Sequence, residues 1–305
     1  MMRTLAVMAR RYGPTSAVGR RRIATGTGAV SIGLAALAFA KAADAANATF
    51  TARVASIWWL PLVVTPLAFG IIAWVTLRFV PEAAGSGIPQ VIAATADPGR
   101  ARTVLLSMRA ALAKLVLTLA ALLAGASVGR EGPTVQVSAA IMLWYHRLFR
   151  VALRPSMVIA GGAAGVAAAF NTPLAGITFA IEELADAYEQ RVALLVMTAI
   201  VVAGIVSLGL AGNYVYFGVV SDTLGLGSVL RVAPVAGVFG GLTGGLFARA
   251  MIALGRDRAR LIPALAGRPV AWAFVCGVVV ATIGVLSGLT VSAVLTPRRG
   301  RNSTA

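Results

Sequence analysis

The chain has 305 residues, 59% of them hydrophobic and 12% charged, with a mean hydropathy of +0.87. A soluble domain is usually about 45–50% apolar and about 25% charged, so this composition belongs to a membrane protein. The formal net charge of +17 is almost all arginine, and the arginines sit in short clusters between apolar runs. That distribution fits loops facing anionic lipid and argues against a nucleic-acid partner.

In chain order, residues 1–23 form a basic segment expected in the cytoplasm, and an apolar run follows at 24–46. AANA at 45–48 resembles a signal-peptidase site, but Lys41 and Asp44 intrude before it, so this run is expected to stay as the first membrane helix. A bilayer core of ~30 Å needs about 20 apolar residues per helix. Further runs of that length lie at 57–79, 103–127, 190–212, 232–254 and 269–289. Between them fall shorter apolar pieces at 88–95, 133–145, 156–170 and 174–185, too short to span alone. Helices broken at membrane depth must have their free backbone groups buried in protein or lining an aqueous cavity, as in transporters.

Arginine placement gives the orientation. Clusters lie at 3–22, at Arg100, Arg102 and Arg109, at Arg147, Arg150 and Arg154, and at Arg256, Arg258, Arg260 and Arg268. All four face the cytoplasm if 128–145 and 156–186 dip into the membrane and return. The single histidine, His146, ends an apolar run beside Arg147 and is expected at the interface. With Cys276 as the single cysteine there is no intrachain disulfide, and no metal site or other cofactor is expected. Glycine groups at 161–165 (GGAAG) and 240–245 (GGLTGG) are expected to let helices pack closely.

Two stretches share one design: GSGIP (Gly85, Ser86, Gly87, Ile88, Pro89) and GREGP (Gly129, Arg130, Glu131, Gly132, Pro133). In each, flexible residues lead to a proline suited to a first helical turn. Each should leave unpaired N–H groups at the positive end of a helix dipole, an anion site made without a fixed cation. Ser86 would add a hydroxyl donor or merely cap its helix. Glu131 could be a cap paired with Arg130, yet an ionisable group at membrane depth is a functional candidate by default. Its carboxylate and a chloride ion want the same donors, so protonation or displacement of Glu131 would admit the anion. A third stretch, AAAFNTPLAGITFAIEELAD at 167–186, should break at Asn171–Pro173 and carry Glu182, Glu183 and Asp186 towards the cytoplasm. These acids are either a solvated helix end or a proton relay to Glu131. No Ser/His dyad, metal-ligand cluster or paired aspartates at plausible depth suggests an enzyme.

With the three stretches in this order, the chain resembles the CLC family of chloride channels and chloride/proton antiporters from about residue 24 to residue 290. The resemblance implies an all-α polytopic fold with broken and re-entrant helices, built from two inverted repeats. The first repeat would occupy 24–213, and 214–290 would begin the second. It implies chloride and protons as transported ions and a homodimer in the bilayer, here a bacterial inner membrane. By resemblance, Ser86 would donate to a central chloride and goes with chloride preference. The amides of Gly85–Ile88 and Arg130–Pro133 would line the anion sites. Glu131 would be the external gate, and Glu183, with Glu182 beside it, the internal proton residue. The family's second-half Gly-x-Phe-x-Pro loop and tyrosine are not in these 305 residues, and 291–305 reads as an atypical basic tail. A truncated or frame-shifted, inactive member is therefore expected, or else a non-transporting half-subunit that regulates a complete partner.

Overall fold

The structure, a computed structural model, describes residues 16–96, 99–184, 190–212, 225–261, 265 and 267–287. They are helical, with no strand among them: α1 Ala17–Ser56, α2 Leu60–Phe79, a 3-10 turn Pro81–Ala83, α3 Ile88–Ala96, α4 Arg100–Leu105, α5 Met108–Leu123, α6 Glu131–Leu148, α7 Pro155–Phe170, α8 Pro173–Phe179, a π-helical turn Ala180–Leu184, α9 Gln190–Ala211, α10 Leu226–Leu261 and α11 Pro269–Leu286. Five stretches among the described residues are long and apolar enough to cross a membrane: Ala17–Ser56, Leu60–Phe79, Leu194–Ala211, Leu226–Gly255 and Pro269–Leu286. The protein is thus an integral membrane protein in which a block of shorter helices, α3 to α8, separates two long apolar helices from three more.

Two expected boundaries differ. The first helix starts at Ala17, not near residue 24, because Ser16 caps it: its Oγ accepts from the Gly19 amide at 2.9 Å. The run at 103–127 is not one span. It breaks at Leu106–Ser107, where the Ser107 hydroxyl accepts from the Ala110 amide at 3.2 Å and starts α5 afresh. The expected break at Asn171–Pro173 is present: α7 ends in left-handed Asn171 (φ 56°), and Pro173 opens α8.

The core lies around α6 and α7, two helices buried over most of their length, α7 by small and apolar residues and α6 with Thr134, Gln136, Ser138 and His146 among its buried side chains. Helices α1, α3, α5 and α9 pack around them. Small residues set the spacing. A Cβ at Gly161 would stand 2.8 Å from the Ala139 Cα, and one at Gly165 would stand 2.5 Å from the Ser138 Oγ. The GGAAG group therefore packs α7 on α6 as its composition suggests. Polar bonds fasten the neighbouring helices to this pair: Ser31 Oγ of α1 meets the Tyr145 hydroxyl of α6 at 2.6 Å, and Ser207 Oγ of α9 donates to the Ala168 carbonyl of α7 at 2.9 Å.

The second glycine group behaves differently. On α10, no atom lies within 4 Å of a Cβ built at Gly240, Gly241, Gly244 or Gly245. Every residue from Leu226 to Gly255 except Ser228 is exposed. The expected packing role for GGLTGG has no partner within the described residues. His146 is a second correction. It is fully buried, its Nδ1 at 2.8 Å from the Met142 carbonyl and its Nε2 at 3.3 Å from Thr25 Oγ1. The histidine is a polar stitch between α1 and α6, because helix α6 turns it inward one residue before the exposed Arg147.

Candidate anion site where two helix N-termini meet

The GSGIP and GREGP stretches, more than 40 residues apart, meet backbone to backbone. A Cβ at Gly87 would stand 2.6 Å from the Gly132 carbonyl oxygen, and a Cβ at Gly132 would stand 2.6 Å from the Ser86 carbonyl oxygen. Only residues without side chains allow this approach. The turn into α3 needs glycine for a second reason: Gly85 and Gly87 have φ of +72° and +113°, which L residues rarely adopt. Ile88 and Pro89 open α3, while Glu131, Gly132 and Pro133 form the first turn of α6 with Arg130 as its N-cap. Two helix starts, each with first-turn N–H groups unpaired inside the helix, thus converge on one place. Gly85, Ser86 and Pro89 are exposed, Ile88, Arg130, Glu131 and Gly132 half-buried, and Gly87 and Pro133 buried.

Glu131 folds back over the loop that precedes it. A Cβ at Gly129 would lie 2.5 Å from Glu131 Oε2, so the carboxylate occupies space that only glycine leaves open. A carboxylate at a helix N-terminus is favourably placed in the dipole field. Arg130 also has partners on the first helix. Its Nη1 donates to Asp44 Oδ1 at 2.8 Å and to the Ala40 carbonyl at 3.2 Å, both on α1. The ion pair with Asp44 fastens the start of α6 to α1.

Behind the GSGIP loop stands a residue that sequence reasoning did not single out. Lys114 on α5 is 3% exposed, and its Nζ donates to the carbonyls of Ala83 (2.6 Å), Gly85 (2.7 Å) and Ala84 (3.4 Å). Gln136, fully buried on α6, donates through Nε2 to the carbonyls of Glu82 (3.1 Å) and Leu105 (2.9 Å). Gln90 Nε2 donates to the Ala84 carbonyl. The expectation of a site with no fixed cation is thus amended: an ammonium sits against the carbonyl side of the loop. A lysine inside an otherwise apolar run was the signal that could have found it.

Arg102 also departs from its expected place. It is 2% exposed and donates to the carbonyls of Ala94 and Leu153, both at 3.4 Å, so it ties the end of α3 to the α6–α7 connection instead of joining a loop cluster. Glu182 and Glu183 are exposed on the π-helical turn, which packs against α3 and α7 and is anchored by buried Leu184. They lie on a different element from the two-loop contact. Asp186 lies outside the described residues.

Comparison with known proteins gives a consistent picture. A family model described as voltage gated chloride channel matches residues 68–298. The chain is similar to the H(+)/Cl(-) exchange transporter ClcA of Vibrio vulnificus (strain YJ016), 35% identical over 153 residues that cover 49% of this chain and 32% of that protein. It is also similar to ClcA of Vibrio cholerae (strain ATCC 39541 / Classical Ogawa 395 / O395), 40% identical over 131 residues, 42% of this chain and 27% of that protein. The matched part therefore spans about a third of these relatives' length. Among solved structures, a slow cyanobacterial Cl-/H+ antiporter superposes with TM-score 0.72 at 24% identity, covering 88% of this chain and 63% of that one. A CLC-type fluoride/proton antiporter superposes with TM-score 0.67 at 22% identity, covering 88% and 65%. At these identities the likeness is one of fold.

Proposed function

The chain belongs to the voltage gated chloride channel family, and on that premise we propose that it moves chloride across a membrane in exchange for protons, with Glu131 as the gate. The observation that carries the reading is the contact of Gly87 with Gly132. Through it two helix N-termini share one anion-seeking cradle, with a carboxylate folded beside it. An ionised Glu131 and a chloride compete for the same N–H donors, so protonating or swinging out the side chain frees the place for the anion. Ser86, exposed at the same turn, adds a hydroxyl donor. Glu183, with Glu182 beside it, supplies protons from the opposite side, and the N-terminus faces the cytoplasm of a bacterial inner membrane. The family relatives named above are H(+)/Cl(-) exchangers, which supports exchange over passive conduction.

The test is chloride efflux with simultaneous pH recording from liposomes carrying this chain. The wild type should release chloride with opposed proton movement, and Glu131→Gln should release chloride alone. Coupled flux unchanged in Glu131→Gln removes Glu131 from the mechanism. One observation favours a second reading, a non-transporting subunit that joins a larger membrane partner: the mostly apolar surface that α10 leaves uncovered, interrupted by Arg231 and Arg249. Absence of any flux from the chain alone, with flux gained by co-reconstitution, would select it.

A further inference from the structure

Four consecutive peptide carbonyls, Glu82 to Gly85, are each held by a side chain: Glu82 by Gln136, Ala83 and Gly85 by Lys114, and Ala84 by Lys114 and Gln90. In a trans peptide the C=O of one residue and the N–H of the next point in opposite directions within one plane. No cis peptide is present among the described residues. Drawing the Ala84 and Gly85 carbonyls towards α5 therefore turns the Gly85 and Ser86 N–H groups the other way. Positive φ at Gly85 lets the chain accept that orientation.

We propose that Lys114 is a positioning residue for anion binding: its ammonium gathers the carbonyls of Ala83–Gly85 so that the GSGIP loop presents N–H donors, with no oxygen lone pairs, to the anion. The inference rests on the anion-site reading above. Lys114 does not touch the anion. It acts through the three peptides, whose dipoles it also strengthens, because a charge at the carbonyl end polarises each N–H into a better donor. Among the described residues its bonds are all to carbonyl oxygens, so its positive charge is spent on the loop and not on a carboxylate. Gln136 extends the same hold to the residue before and joins it to Leu105 and to α6, the helix that begins with Glu131.

The purified chain in detergent, with Lys114→Met and Lys114→Gln beside it, gives the test through two readouts. One is chloride titration by calorimetry, and the other is amide hydrogen exchange over residues 83–88. Lys114→Met should speed exchange at Gly85 and Ser86 and weaken chloride binding roughly ten- to a hundredfold, the range set by loss of hydrogen bonds to a charged group. Lys114→Gln keeps a donor for the carbonyls without the charge. It should hold exchange near wild type while weakening chloride about tenfold, and it carries the test if Lys114→Met does not fold. Unchanged exchange in Lys114→Met overturns the proposal, whatever happens to chloride, because the loop is then set without Lys114. Unchanged chloride affinity in both variants overturns it as well. If the wild type binds no chloride while exchange still responds, the anion-site reading fails and the hold of Lys114 on the loop stands.

Discussion

Arg130 and Asp44 are 86 residues apart in sequence and 2.8 Å apart in space. The pair ties the residue before the proposed gate to the long first helix. Asp44 has 70% of its side chain exposed while Arg130 has 17%, so the pair is a surface clasp and not a buried one. A double-mutant cycle with Asp44→Asn and Arg130→Gln should give a coupling of about 0.2–1 kcal/mol. It should shrink in concentrated salt, because exposed pairs are screened. Thermal unfolding in detergent at low and high salt measures it, and a salt-independent coupling would contradict the exposed geometry.

The Gly87–Gly132 contact predicts a sharp contrast among the glycines of one turn. Gly87→Ala must both displace the Gly132 carbonyl and adopt φ of +113°, for a loss of about 2–4 kcal/mol. At Gly85 the nearest atom to a built Cβ is 3.6 Å away, so Gly85→Ala carries the backbone strain alone, about 1–2 kcal/mol. Denaturation of the two variants side by side should rank them in that order.

Gly129→Ala tests the place of the Glu131 side chain without altering its chemistry. The new Cβ would stand 2.5 Å from Glu131 Oε2 and must push the carboxylate off its seat. Under the proposed mechanism this variant should move part of the way towards Glu131→Gln, with less proton movement per chloride, and keep near-normal stability, since residue 129 is exposed. Coupled-flux recordings compare the three proteins. Gly129→Ala with wild-type coupling would show that the seat is irrelevant to gating.

Two glycine-to-alanine changes in similar motifs should have opposite signs. Gly165→Ala brings a Cβ to 2.5 Å from Ser138 Oγ and should cost about 1–3 kcal/mol. Gly244→Ala meets nothing within 4 Å on an exposed helix and should gain up to about 1 kcal/mol from helix propensity. Melting temperatures of the two variants in one detergent are sufficient to see the difference.

Much of this fold is readable from residues alone, because the determining signals are local. Apolar runs, the Asn171–Pro173 break and the two Gly-x-x-x-Pro turns each declare themselves within a few residues. What escapes is set by partners far along the chain. Ser107 divides an apolar run that hydropathy reads as continuous, through a single cap hydrogen bond. Arg102 and Arg130 count equally as cations in a sequence, yet one is enclosed among carbonyls and the other meets Asp44. Lys114 escaped for a similar reason: its partners are carbonyls, which every residue carries and no composition reveals. The GGAAG and GGLTGG groups look alike in sequence, and only the structure distinguishes the one with a neighbour.

The way α11 is held has a consequence for how the molecule comes apart. Among the described elements it packs on α2, where the Gly277 backbone sits against Pro66 at distances that leave no room for a Cβ. Helices α6 and α7, by contrast, are enclosed by α1, α3, α5, α8 and α9. Opening need not be all-or-none. Separation of α11 disrupts one seam, whereas exposing α6 dismantles the bundle, so the two events belong to different rungs of a ladder of partial unfolding. The convergent helix starts lie on the upper rung, and their geometry persists through excursions that release α11.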